Sequence, residues 1–302
     1  MWRTTIAAVA AVFSGLIAVP SAQADPGAGC PALAVVVVPG TWESAADGQS
    51  DAGGSLLSAA VDGLPGAVRV DYVPYAATAF PWESEVYGAS VREARNAARQ
   101  LVADTAGQCP DALFALLGYS QGAQAAGDLE AEIGSGTGIV EPNRVAAVTL
   151  VADPRRAPAD ILIGPGVVGE GIMGPRPAGF GLLSGATRTF CIAGDIYCAT
   201  ESTDYLARIG GLIANNSAPS PNSLNATLRD IGALAGELAA GGADILQQQV
   251  GEQALQARAA EIDAFLKSGV HQSYSSYVVG SDGETTTDWL RGWLRALARG
   301  ER

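Results

Sequence analysis

The chain has one histidine and no closely spaced cysteine pair of the CxxC kind, so a zinc site built from such ligands is excluded. Charged residues are few, at 16%, and hydrophobic ones reach 48%, which excludes a disordered chain. Basic residues are in deficit: the formal net charge is −13. That balance argues against nucleic acid as a partner and against electrostatic docking on anionic lipid, while leaving neutral lipid and ester substrates open. After the N-terminal segment no run is long and apolar enough to cross a bilayer.

The N-terminus reads as a secretory signal. Arg3 is its only charge, Ile6 to Val19 is apolar, and Ala22-Gln23-Ala24 is a small-x-small cleavage site. The expected mature chain, 25–302, is long enough for one large domain. Four cysteines behind an export signal point to disulfides. Cys30, Cys109, Cys191 and Cys198 allow three pairings, and spacing alone leaves them open.

Candidate strands are Leu33–Val38, Val68–Val73, Ala112–Leu117, Val145–Val151 and Thr187–Ile192. Helical patterns lie between them at Ser90–Ala106 and Ala123–Ile133. Such alternation predicts an α/β fold, with helices layered on both faces of a mostly parallel sheet. Residues 157–186 are rich in Gly and Pro and read as an irregular loop. Leu224, Leu228, Ile231, Leu234 and Leu238 recur at helical spacing, with a break expected at Gly241-Gly242. This helical insert, about 205–268, is either a lid or an added packed layer. Thr286–Ala298 is the last helix, with Trp289, Trp293 and Leu297 read as core.

Gly118-Tyr119-Ser120-Gln121-Gly122 fits G-x-S-x-G, after a predicted strand and before a predicted helix. In that context Ser120 is a nucleophile on a tight turn. A serine hydroxyl needs a base, and His271 is the one histidine available. A carboxylate must orient the base. Asp153, after the fourth strand, and Asp195, after the fifth, both respect the chain order. A bond between Cys191 and Cys198 would stiffen the loop carrying Asp195 and favour it. The backbone N–H of Gln121 is the expected oxyanion donor, with Thr41 after Gly40 as the second. No cofactor or metal is needed for this chemistry.

With these residues in place the chain resembles the cutinase family of serine esterases. The likeness rests on Cys30, the turn Gly40-Thr41, Cys109, Gly118–Gly122 and Cys191-x₃-Asp195-x₂-Cys198. Within the family it is similar to the cutinase-like cell-envelope lipases of mycolic-acid bacteria. That narrower likeness rests on Val38–Ser44, Gly174–Gly181, and Ser281–Glu284 leading into Trp289. The resemblance implies an α/β-hydrolase fold, Asp195 as the triad acid, and pairing of Cys30 with Cys109 and Cys191 with Cys198. It also implies phospholipase A or thioesterase activity on long acyl substrates, with peripheral contact to envelope lipid. A monomer is expected. The long connection between Asp195 and His271 departs from the family pattern. Acyl transfer to an alcohol would use the same residues. A binding protein on a hydrolase scaffold would be expected to lack one of them.

Overall fold

The computed structural model describes residues 29–44, 54–219 and 224–301. The expected signal segment, 1–24, lies outside these residues. From Pro31 onward the described residues form one compact unit. Five strands run parallel in the order β2-β1-β3-β4-β5. They are β1 Leu33–Val38, β2 Val68–Tyr72, β3 Leu113–Tyr119, β4 Val145–Val151 and β5 Thr187–Phe190. Every residue of β1 is buried, as expected of a central strand covered on both faces.

Alternation along the strands divides the core in two. Ala34, Val36, Phe114 and Leu116 face α2 (Tyr87–Gln108) and α3 (Gln121–Gly134). Leu33, Val35, Val37, Ala115 and Leu117 face the opposite layer, with α1 (Ser58–Val61) and the C-terminal helix Thr286–Ala298. That helix begins with a reciprocal cap between Thr285 and Asp288. Its buried stripe is Leu290, Leu294 and Leu297. Trp289 and Trp293, expected as core, lie half-buried on its flank, where Trp289 meets Phe190 edge-on at 5.5 Å.

The sheet fixes where a site can form. β1 lies between β2 and β3, and the chain leaves the ends of β1 and β3 in opposite directions. The carboxyl ends of these two strands flank a topological switch point, where open α/β sheets bind ligands.

The insert comprises α4 (Tyr205–Asn215), α5 (Leu224–Glu237), α6 (Ala243–Gln249) and α7 (Glu252–Ser268). The chain kinks at Gly241, where φ is 121°, and resumes its helix at once. The apolar stripe of α5 faces outward: Leu224, Leu228 and Ile231 are exposed. Inward, Asp230 pairs with Arg155 at 3.1 Å, and at the rim the exposed Glu237 pairs with Arg208 at 3.0 Å. Arg258 of α7 pairs with Asp204. Among the described residues, no helix is long and apolar enough to cross a membrane.

Candidate active site

Ser120 stands between β3 and α3 with φ 54° and ψ −119°, a backbone that few side chains adopt. Two glycines make that turn possible. A Cβ on Gly118 would lie 2.4 Å from the Gly122 carbonyl oxygen, and one on Gly122 only 2.1 Å from that of Val38. The Ser120 N–H donates to the Val151 carbonyl at 2.8 Å, which ties the elbow to β4.

His271, in a short turn after α7, presents Nε2 2.8 Å from Ser120 Oγ. Its Nδ1 lies 2.8 Å from Asp195 Oδ2. The three side chains are therefore linked in line. Sequence reasoning brought all three forward, and the fold brings them together across 151 positions of chain.

Asp195 is fully buried, in the loop closed by the Cys191–Cys198 disulfide. Cys30 and Cys109 are the other disulfide-bonded cysteines. Asp195 Oδ1 accepts from the Tyr197 N–H at 3.0 Å, and Oδ2 accepts from the Tyr274 hydroxyl at 2.7 Å. Burial, then the adjacent Asp195 carboxylate, pushes the Tyr274 phenol well above its ordinary range. It thus remains a donor at working pH. The Tyr119 hydroxyl donates to the His271 carbonyl at 2.7 Å, and the Tyr197 ring lies 4.5 Å from the imidazole. Phe265 of α7 is 6.3 Å away, so the insert reaches the site.

Asp153, the other candidate acid, does not meet His271. It is buried and receives Arg176 Nη1 at 2.6 Å and the Arg155 N–H at 3.0 Å. Burial alone would lower the Arg176 pKa, but Asp153 and Asp128 more than offset it and keep the guanidinium charged. Through Arg176, Asp153 fastens the Gly174–Gly181 loop to the end of β4, and Arg176 Nη2 also ties it to α3 by donating to the Gln124 carbonyl at 3.0 Å.

Gln121 opens α3, so its N–H has no intrahelical acceptor. Its side chain is spent elsewhere, donating to the Thr78 carbonyl at 2.9 Å. In the facing turn the Gly40 N–H donates to Glu43 Oε2 at 2.9 Å, and the Trp42 N–H to the Ala77 carbonyl at 2.7 Å. Among the described residues no protein acceptor takes the N–H of Thr41 or Gln121. Glu43 also accepts from the Leu56 N–H at 2.9 Å and the Ser55 hydroxyl at 3.3 Å. Burial raises its pKa, while the Gly40 and Leu56 N–H groups pull it back.

Sequence reading missed Tyr274, Tyr197 and Glu43 as supports. Each had a positional signal: three residues past the one histidine, inside the disulfide loop, and two past Thr41. A cavity of about 660 Å³ lies between the disulfide loop and α6–α7, beside Ile196 and Arg258. It borders the support of Asp195 rather than Ser120.

The cutinase family model matches residues 29–212. The chain belongs to the cutinase family. A relative in Corynebacterium glutamicum, a carboxylesterase Culp6 homolog, is 31% identical over 202 residues, covering 56% of this chain and 65% of that protein. The chain thus spans less than two thirds of that relative's length. Lysin B from Mycobacteriophage D29 is 17% identical with a TM-score of 0.53, covering 88% of this chain and all of its own, a likeness of fold. The catalytic core of an acetyl xylan esterase from Trichoderma reesei is 22% identical at a TM-score of 0.45, covering 68% of this chain and 100% of that core.

Proposed function

We propose that this protein is an exported serine esterase that hydrolyses long acyl esters, phospholipids or thioesters among them. One observation carries the reading: Ser120 Oγ, the His271 ring and Asp195 form an unbroken hydrogen-bonded line at the switch point. Ser120 Oγ attacks the acyl carbonyl carbon and passes its proton to His271 Nε2. Asp195 accepts from Nδ1, holds the tautomer and stabilises the imidazolium. The N–H groups of Gln121 and Thr41 receive the oxyanion, and such a donor is typically worth about 3 kcal/mol of barrier. His271 then protonates the leaving alcohol or thiol. Water, deprotonated by the same imidazole, releases the acid from the acyl-enzyme.

Hydrolysis of p-nitrophenyl esters from acetyl to palmitoyl, compared with Ser120→Ala, tests this. Loss of activity in the variant, with a preference for long chains, is expected. Absence of both hydrolysis and labelling by a serine-reactive phosphonate in folded protein would overturn it. Export is read from the signal pattern together with the disulfides. Its check is the N-terminus of the protein recovered outside the cell, expected at Asp25.

A further inference from the structure

Three aromatic side chains next to the Thr41 turn are turned toward solvent. Trp42, Phe80 and Trp82 are 67%, 40% and 79% exposed. They are ordered against one another: Trp42 and Phe80 stack at 6.2 Å, and Phe80 and Trp82 at 4.7 Å with planes 4° apart. The backbone beneath this ledge is strained and is held by a hydrogen bond. Trp42 has φ 65° and Ala77 φ 52°, and the two are hydrogen-bonded to each other. A bulky residue at positive φ costs about 1–2 kcal/mol, and such outliers persist where the surroundings demand them.

The polar groups at the Trp42 end of the ledge are already used. The indole N–H of Trp42 donates to Glu83 Oε1 at 2.7 Å, and Glu83 Oε2 accepts from the N–H groups of Ala79 and Phe80. Those hydrogen bonds hold the Glu83 carboxyl below its ordinary pKa, so it stays anionic. A sugar or peptide would look for several free donors and acceptors beside the rings, and among the described residues the Trp82 indole N–H is the one ring donor left unpaired. The three rings expose roughly 400 Å², half of the ~800 Å² per partner that a stable protein interface needs. A lipid interface has no such area threshold, and tryptophan favours that boundary because its ring is apolar while its N–H is polar. Glu83 and the net charge of −13 disfavour an anionic surface.

We propose that the Trp42–Phe80–Trp82 ledge docks the protein on a neutral or zwitterionic lipid surface, with the mouth of the Ser120 site facing the acyl esters held there. What docking serves rests on the esterase reading; docking itself does not, because it is measured with the Ser120→Ala protein.

The probe is binding of that protein to phosphatidylcholine vesicles, in parallel with vesicles rich in phosphatidylglycerol. Binding to phosphatidylcholine is expected, and weaker binding to the anionic vesicles. Adding Trp82→Ala and Phe80→Ala should weaken phosphatidylcholine binding by about tenfold or more, in line with the apolar area lost, while Trp82→Phe should retain most of it. In the active enzyme the same pair should slow hydrolysis of a vesicle-borne ester and leave a dissolved butyrate ester within about twofold. Unchanged vesicle binding in the double variant would overturn the proposal. Equal losses on dissolved and vesicle-borne ester would also overturn it, making the ledge a substrate subsite. A self-association abolished by the same substitutions would assign the ledge to a second copy instead. Vesicle binding that depends on the ledge, with no ester hydrolysed at all, would leave docking standing and sink the esterase reading.

Discussion

The hydroxyl of Tyr274 donates to Asp195 Oδ2 at 2.7 Å, the same oxygen that faces His271 Nδ1 at 2.8 Å. One carboxylate oxygen thus serves the imidazole and a buried phenol together. The phenol also accepts from the Ile192 N–H at 3.1 Å, so it ties the acid to its own loop.

Tyr274→Phe is expected to lower kcat by about tenfold, or ~1.4 kcal/mol of barrier, with KM little changed. Without the phenol, Asp195 pulls harder on the imidazole proton, and the acid limb of kcat/KM against pH moves upward. A purely structural role for Tyr274 would lower Tm and leave the limb in place. The pH profile therefore separates the two.

Much of this architecture is legible in the residues. β1, β4 and the C-terminal helix have the bounds that the apolar runs and helical spacing predict, since a fully buried strand leaves few alternatives, although the helix buries Leu290 and Leu294 where the tryptophans were expected. Ser120 is legible because only glycine fits at 118 and 122. Other features depend on distant partners. Periodicity shows that α5 has two faces but not which one turns inward. Arg155 decides that, by drawing in Asp230. Glu43 and Tyr274 are supports only because remote N–H groups and a carboxylate converge on them.

Asp195 and Asp153 are separable by what each loses. Asp195→Asn should cut kcat by about 10³–10⁴ with folding intact, because the imidazole loses its orienting acceptor. Asp153→Ala should act on stability, since it deprives the buried Arg176 of its nearest carboxylate, a loss of about 3–5 kcal/mol. The measurement is kcat and Tm for both variants. A folded Asp195→Asn enzyme with near-normal kcat would transfer the orienting role away from Asp195.

Glu43 acts at a distance from the reacting atoms. Its carboxylate collects Gly40, Ser55 and Leu56, fixing the turn that offers the Thr41 N–H. Glutamine at this position turns one acceptor into a donor facing an N–H. Glu43→Gln is expected to reduce kcat by about ten- to a hundredfold, short of full removal of an oxyanion donor, with KM held. A KM effect alone would place Glu43 in substrate binding instead.

Glu130 tests pH dependence away from the site. Burial raises its pKa well above the ordinary 4.5, although the Thr187 hydroxyl donates to one of its oxygens. A carboxyl raised on folding contributes stability that is complete below its unfolded pKa and is lost as pH rises through the folded one. Glu130→Gln keeps the acceptor for Thr187 and adds an N–H₂ group whose cost does not vary with pH. The informative quantity is therefore the difference in Tm between variant and wild type as a function of pH. That difference should move in favour of the variant on going from pH ~4.5 into the alkaline range. Parallel Tm curves would show that Glu130 binds its proton no more tightly in the folded protein than in the unfolded one.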